Sequence, residues 1–406
     1  MSIIQRWIEQ DLRHPSSQKK VRLLFGARQT GKTTLLRSVI ETEAHKIEFD
    51  LQDASLRLAF ERNPGSFSEQ LLAAAPHPRV VFVDEIQKVP ALLDEIQRLQ
   101  DRFSNRFSFV LTGSSARRLR ASAANLLPGR SHLFHLFPVV QPERGVKSRI
   151  LPLVPAHNAT FFPPRSLEDL LLFGSLPGIS QETSVGATRT VEGYAELYLE
   201  DEIRREGLVR DVGSFSRFLE YAALSSGQTL NLVHLSNESG VPKATLRNYY
   251  QILVDTFVGY WMEPFIRSDR KRLLSTPRFY FFDLGVRNAA ARLAPERSRL
   301  AIEGGKLLEH WVGIELLHRA RQLGRSYAVE FWRTVGGAEV DFVVTTPSDL
   351  IPIEVKWTEN PTVSDAKHLL LFMAEYPKAK QAYVVCRVNT PRRIHDRVTA
   401  IPWKEL

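Results

Sequence analysis

Gly26-Ala27-Arg28-Gln29-Thr30-Gly31-Lys32-Thr33 fits the pattern G-x-x-x-x-G-K-[ST] and lies between a short apolar run, residues 21–25, and a helical pattern over residues 33–44. That context suits the motif. The glycines let backbone N–H groups curl toward phosphate oxygens, and the helix places its positive end behind them. The motif implies a site for ATP built from Gly26, Ala27, Arg28, Gln29, Thr30, Gly31, Lys32, Thr33 and Thr34, with Lys32 on the β- and γ-phosphates and the Thr33 hydroxyl on Mg²⁺. Further strand-like runs over residues 47–51, 80–84, 107–112 and 132–137 alternate with helical stretches such as 91–103. This alternation predicts an α/β domain with a parallel sheet.

The run Val80-Val81-Phe82-Val83-Asp84-Glu85 is an apolar strand ending in two carboxylates. Beside a phosphate loop, the first, Asp84, holds the metal through water and the second, Glu85, polarises the attacking water. Thr112-Gly113-Ser114-Ser115 ends another strand, where Ser114 either senses the γ-phosphate or is an ordinary turn residue. Arg130 stands just before the last strand. It is either an arginine that reaches a neighbouring subunit's nucleotide, which implies a homo-oligomer, or a surface arginine.

The chain has 406 residues, more than one core usually supports, and its 43% hydrophobic and 24% charged content is that of a globular protein. A formal charge of +9 favours acidic partners, of which nucleic acid is the commonest. Cys386 is the single cysteine, which excludes an internal disulfide and fits a reducing compartment. The opening residues carry Arg6, Glu9, Asp11 and Arg13, unlike a signal peptide, and no apolar run approaches the ~20 residues that span a bilayer. A cytoplasmic protein without a membrane partner is expected.

Prolines at 138, 142, 152, 155, 163 and 164 interrupt regular structure. The expected division is a P-loop domain over 1–140, a linker and helical lid over 141–210 that includes a helix over 192–205, a winged-helix domain over 211–300 and a further α/β domain over 301–406. In the third part, residues 232–256 resemble a helix-turn-helix, with Lys243 and Arg247 on its second helix. A hairpin-like stretch and Arg267, Arg270, Lys271, Arg272 and Arg278 follow, suited as a basic wing tip to the phosphates of DNA. The last part reads as αβββαβ. Because side chains alternate along strands, Glu339 and Asp341 share a face, as do Glu354 and Lys356. Asp341 and Glu354 then suit Mg²⁺ and Lys356 a developing oxyanion, with Glu309 on the preceding helix as a further carboxylate. A structural salt-bridge cluster is the alternative.

Taken together, these motifs, with Phe173-Gly174-Ser175-Leu176-Pro177 and Tyr280-Phe281-Phe282-Asp283-Leu284-Gly285, resemble the prokaryotic AAA-type ATPases that carry a C-terminal domain of uncharacterised function. The resemblance implies an AAA+ core, a winged-helix middle, a restriction-endonuclease-like end of the PD-(D/E)xK type, and Arg130 as an arginine finger. Two functions are expected in competition. One is an ATPase that drives DNA processing through a metal-dependent nuclease domain. The other is a nucleotide switch in a signalling, toxin–antitoxin or defence assembly, with a C-terminal domain that binds without cutting.

Overall fold

Five short runs form one parallel sheet: β1 (Val21–Phe25), β2 (Lys46–Asp50), β3 (Arg79–Asp84), β4 (Phe107–Gly113) and β5 (Ser131–His135), in the order β2-β3-β4-β1-β5. The computed structural model from which they are read describes residues 4–14, 18–74, 77–117, 129–152, 160–195, 211–266 and 276–406. All five residues of β1 are buried, as expected of a central parallel strand covered on both faces. Strand β1 lies between β4 and β5, so the chain leaving it must cross to the far edge at β2. A crevice therefore opens at the carboxyl end of β1, where such sheets take their ligands.

A short helix α1 (Glu9–Arg13) and the helix after the glycine loop, α2 (Lys32–Ile40), lie against this sheet. Ile8, the N-cap of the first, and Leu12 within it, with Leu35, Leu36, Val39 and Ile40 from the second, bury with Leu24, Phe82 and Val110. The spacing of the α2 residues is that of one apolar helix face. The sequence predicted a helix to residue 44, and it stops at Ile40. Glu41 and Glu43 would load negative charge onto the negative helix end, and Thr42 is β-branched. Arg13 instead donates to the carbonyls of Ser38 and Val39, both at 2.9 Å.

The chain divides into two compact units, one of Met1–Phe137 with Pro155–Phe161 and Asp255–Phe257, the other of Pro138–Val154, Phe162–Val254 and Val258–Leu406. The second unit contains α3 (Leu167–Phe173), α4 (Leu232–Ser239) and α5 (Lys243–Asp255, ending in the first unit's segment). The two-stranded antiparallel ribbon β6 (Gly259–Met262) and β7 (Arg278–Phe281) follows. The turn between α4 and α5 uses Gly240 at φ 67°, a left-handed conformation that glycine adopts without strain. Most of the helix expected over residues 192–205 lies outside the described residues, as do Arg267, Arg270, Lys271 and Arg272.

Asp283 joins two of the sequence motifs. Its carboxylate caps helix α6 (Leu284–Ala290) by accepting from the Val286 N–H at 3.1 Å, and it also accepts from the Ser175 N–H at 2.6 Å. Gly285 sits so close to the end of α3 that an added Cβ would stand 2.2 Å from the Phe173 carbonyl oxygen. Gly285→Ala is therefore expected to destabilise the unit by about 1–3 kcal/mol through overpacking. A urea-melt midpoint unchanged from wild type would show that the backbone yields at no cost.

The C-terminal part runs from α7 (Leu300–Leu323) through β8 (Ala328–Arg333), β9 (Glu339–Thr345), β10 (Leu350–Val355), α8 (Lys367–Glu375) and β11 (Ala382–Cys386). Two strands absent from the sequence reading follow, β12 (Arg392–His395) and β13 (Val398–Pro402), so the order is αβββαβββ. They form a mixed six-stranded sheet ordered β12-β13-β11-β10-β9-β8. Arg392 and Arg393 break the apolar alternation that marks a strand in β12, and β13 is only five residues long and ends in Pro402. No helix among the described residues is long and apolar enough to cross a membrane.

Candidate functional sites

The glycine loop is shaped by contacts that only its own residues permit. A Cβ on Gly26 would stand 2.3 Å from the Leu136 carbonyl oxygen, and Gly31 has φ 92°. Gln29 accepts a left-handed φ of 59°. The Lys32 ammonium reaches across the loop to the carbonyls of Gly26 at 3.0 Å and Ala27 at 2.9 Å. Thr30 closes the turn by donating to the Ala27 carbonyl at 2.8 Å. Arg28 is half-buried, while Gln29 and Thr34 are exposed.

Strand order brings the other motifs alongside. The Thr33 hydroxyl lies 3.0 and 2.9 Å from the two carboxylate oxygens of Asp84, and Thr112 donates to the same carboxylate. Burial, and then the charges of Glu85 and Asp50, push the Asp84 carboxyl up; Thr112 and Thr33 oppose them. Glu85 sits in the left-handed region at φ 58° and donates its backbone N–H to Thr112 Oγ1 at 2.9 Å. Its Oε2 accepts from Ser114 Oγ at 2.7 Å and from Gln87 Nε2. Burial pushes the Glu85 carboxyl up, but Lys32, Ser114, Arg28 and Gln87 together hold it below the usual range.

These residues fit a magnesium nucleotide. A hydroxyl and a carboxylate, Thr33 and Asp84, converge beside an ammonium at a helix N-terminus, which is the donor set a hard cation and a phosphate chain require. Thr112 and Gln87 were not singled out as site residues from the sequence, although both lie within motifs it contains. Ser114 faces the Glu85 carboxylate. Arg130 stands at the amino end of β5, opposite the loop end of the sheet, where its Nε is 2.5 Å from Asp101 Oδ1. The length of β1, roughly 15 Å, separates it from the glycine loop of its own chain.

In the C-terminal sheet, β9 and β10 pair antiparallel with Ile353 opposite Phe342, so Asp341 and Glu354 follow at adjacent positions. Asp341 Oδ2 accepts from the Val355 N–H at 2.8 Å, and the Lys356 ammonium donates to Glu354 Oε1 at 2.7 Å. Glu354 Oε2 is buried without a hydrogen-bond partner. Burial and the Asp341 charge raise Glu354 to about 7 and Glu309 to about 8. Glu339 also faces this cluster. A divalent cation would relieve this crowding of carboxylates. Among the described residues, however, no three His, Cys, Asp or Glu side chains are grouped as a metal centre, so an ion here would rest on Asp341 and Glu354 with water completing its shell.

Arg278 corrects one expectation. It does not belong to an exposed basic tip: its side chain is 5% exposed, contacts Glu309 at 3.4 Å, pairs with Glu339 and lies 4.3 Å over the Phe331 ring. Lys243 and Arg247 are exposed on α5.

Residues 18–144 match the family model of an AAA domain, residues 164–297 a domain of unknown function (DUF8612) and residues 304–406 another (DUF4143). The first match supports an AAA-type, nucleotide-dependent ATPase. An uncharacterised protein of Mycobacterium tuberculosis is 27% identical over 357 residues, 87% of this chain and 74% of that one. An uncharacterised protein of Methanocaldococcus jannaschii is 23% identical over 99% of this chain and 86% of its own. Among solved structures, the Pif1 helicase from Bacteroides in complex with ADP-AlF3 and ssDNA is 13% identical, covers 49% of this chain and 52% of its own, and has a TM-score of 0.27, a slight likeness.

Proposed function

We propose that this protein hydrolyses ATP at the Lys32–Thr33–Asp84–Glu85 site and uses the nucleotide state to control work on DNA. The observation that carries the ATPase reading is the convergence of Thr33 and Asp84 beside Lys32, with Glu85 held at the next position. The backbone N–H groups of the loop and the Lys32 ammonium bind the phosphate chain, and Thr33 and Asp84 would hold the metal ion. Bound Mg²⁺ would supply positive charge to the β- and γ-phosphate oxygens. Glu85, a carboxylate at neutral pH, accepts the proton of the attacking water. Arg130, at the far end of the sheet, serves the nucleotide of a second copy, which makes the active form a homo-oligomer.

The proposal extends to the second unit. Helices α4 and α5 with the β6–β7 ribbon act as a winged helix that meets DNA through Lys243 and Arg247. Asp341, Glu354 and Lys356 act as a Mg²⁺-dependent phosphodiester-cleaving site of the PD-(D/E)xK type. A specific observation favours the competing reading of a non-cleaving domain: the Arg278 guanidinium already occupies Glu309 and Glu339 as a structural partner. Cleavage of single-stranded, duplex and four-way-junction DNA with Mg²⁺ or Mn²⁺ separates the two. Asp341→Asn is expected to lower the cleavage rate by roughly a hundredfold. Cleavage that survives this substitution, or is absent from wild type on every substrate, leaves the binding reading.

A further inference from the structure

The residue that holds the glycine loop from behind lies outside every motif. Arg6 is buried, with Nη1 donating to the Thr30 carbonyl at 2.8 Å and Nη2 to the Phe137 carbonyl at 2.7 Å. Thr30 is inside the glycine loop, and Phe137 lies just beyond β5. One guanidinium thus joins the loop to the segment beyond the neighbouring strand. The fork geometry of arginine lets it bind two carbonyls at once. In a trans peptide the carbonyl and the following N–H point in opposite directions. Fixing the Thr30 oxygen toward Arg6 therefore fixes the Gly31 N–H on the opposite side.

Two other loop carbonyls are tied down in the same manner. Those of Gly26 and Ala27 accept from Lys32, and that of Ala27 also accepts from Thr30. Carbonyl oxygens turned toward a phosphate would repel it, so a loop that binds anions needs its oxygens held elsewhere. Without Arg6, the Thr30–Gly31 peptide loses the charged donor on its carbonyl.

We propose that Arg6 is a positioning residue of the nucleotide site, orienting the Thr30–Gly31 peptide so that its N–H faces phosphate. This inference rests on the ATP reading above. Arg13 provides an internal comparison, because it binds the far end of the helix that follows the loop, through the carbonyls of Ser38 and Val39, and lies outside the phosphate cradle.

The test measures Mg·ATP affinity, kcat, KM and Tm for the full chain and for Arg6→Gln, Arg6→Lys, Arg13→Gln and Lys32→Ala. Arg6→Gln is expected to weaken Mg·ATP binding by roughly tenfold or more, the equivalent of one lost charge-assisted hydrogen bond. Arg6→Lys, which keeps the charge and one carbonyl contact, should recover part of that loss. Arg13→Gln should lower Tm and leave affinity unchanged. Wild-type affinity in Arg6→Gln overturns the proposal. So does a loss of affinity that tracks the fall in Tm equally in the Arg6 and Arg13 variants. If Arg6→Gln does not fold, Arg6→Lys decides: unchanged affinity there with a lowered Tm assigns Arg6 to stability alone and overturns the inference. Wild-type binding that Lys32→Ala does not reduce removes the ATP reading itself, a result distinct from the failure of Arg6 alone.

Discussion

Glu85→Gln is expected to lower ATP turnover by roughly 10²–10⁴-fold while Mg·ATP still binds, the effect of removing a general base. The substituted amide keeps the size of the side chain and an oxygen to accept from Ser114, so the packing around Thr112 and Gln87 has little reason to change. It cannot take a proton. Lys32→Ala should act differently, because it removes positive charge from the loop and weakens nucleotide binding itself. Steady-state phosphate release together with titration of a fluorescent nucleotide separates the two variants. Glu85→Gln with wild-type turnover would place the base elsewhere. Since Lys32, Ser114, Arg28 and Gln87 outweigh burial and hold the Glu85 carboxyl below the usual range, the base is already ionised at neutral pH. Turnover of the wild-type protein should therefore not gain from raising the pH above 7 through this group.

The parts of this site that the sequence displays are those whose partners are near in the chain or arrive in a fixed order. The glycine loop is contiguous, and Asp84 and Glu85 end an apolar strand, so both can be read directly. Arg6 gives no such signal: its carbonyl partners are 24 and 131 residues away, and an arginine near the chain's start looks like surface. Arg278 misleads for the same reason. It follows a basic run, but its carboxylate partners are 31 and 61 residues distant and are brought to it by the packing of α7 and β9. The motif around Gly174 and Asp283 was visible as a motif, yet its purpose was not. Its glycines mark close backbone approach and its aspartate caps a helix, and both are properties of packing. Strand β12 is masked by its charges and β13 by its shortness and closing proline, and pairing with neighbouring strands supplies the order instead.

Arg319→Ala is expected to destabilise the second unit by about 3–5 kcal/mol, the usual cost of stranding one member of a buried ion pair. Arg319 is fully buried on α7, 2.8 Å from Glu315, and donates to the carbonyls of Ile150 at 2.9 Å and Leu406 at 2.8 Å and to the Ser148 hydroxyl. Glu315 also accepts from the Gln141 N–H at 2.7 Å. The pair thereby ties the proline-rich stretch and the last strand's continuation to the central helix. Alanine would remove every bond that Arg319 makes and leave the buried Glu315 carboxylate without its main partner, with the Gln141 N–H still donating to it. Burial already raises the Glu315 carboxyl, and Arg319 is the main group that holds it down, so the variant's Glu315 should titrate higher still. A carboxyl with a folded-state pKa above its unfolded value binds more protons when folded, so the variant gains stability as pH falls through that pKa. Urea unfolding at pH 8 and at pH 5.5 should therefore show a larger deficit at the higher pH. The double variant Glu315→Leu with Arg319→Met should regain much of the loss, because it removes both buried charges while filling the space. An Arg319→Ala deficit that is the same at both pH values, or that the double variant does not reduce, would show that the carbonyl contacts rather than the ion pair carry the stability.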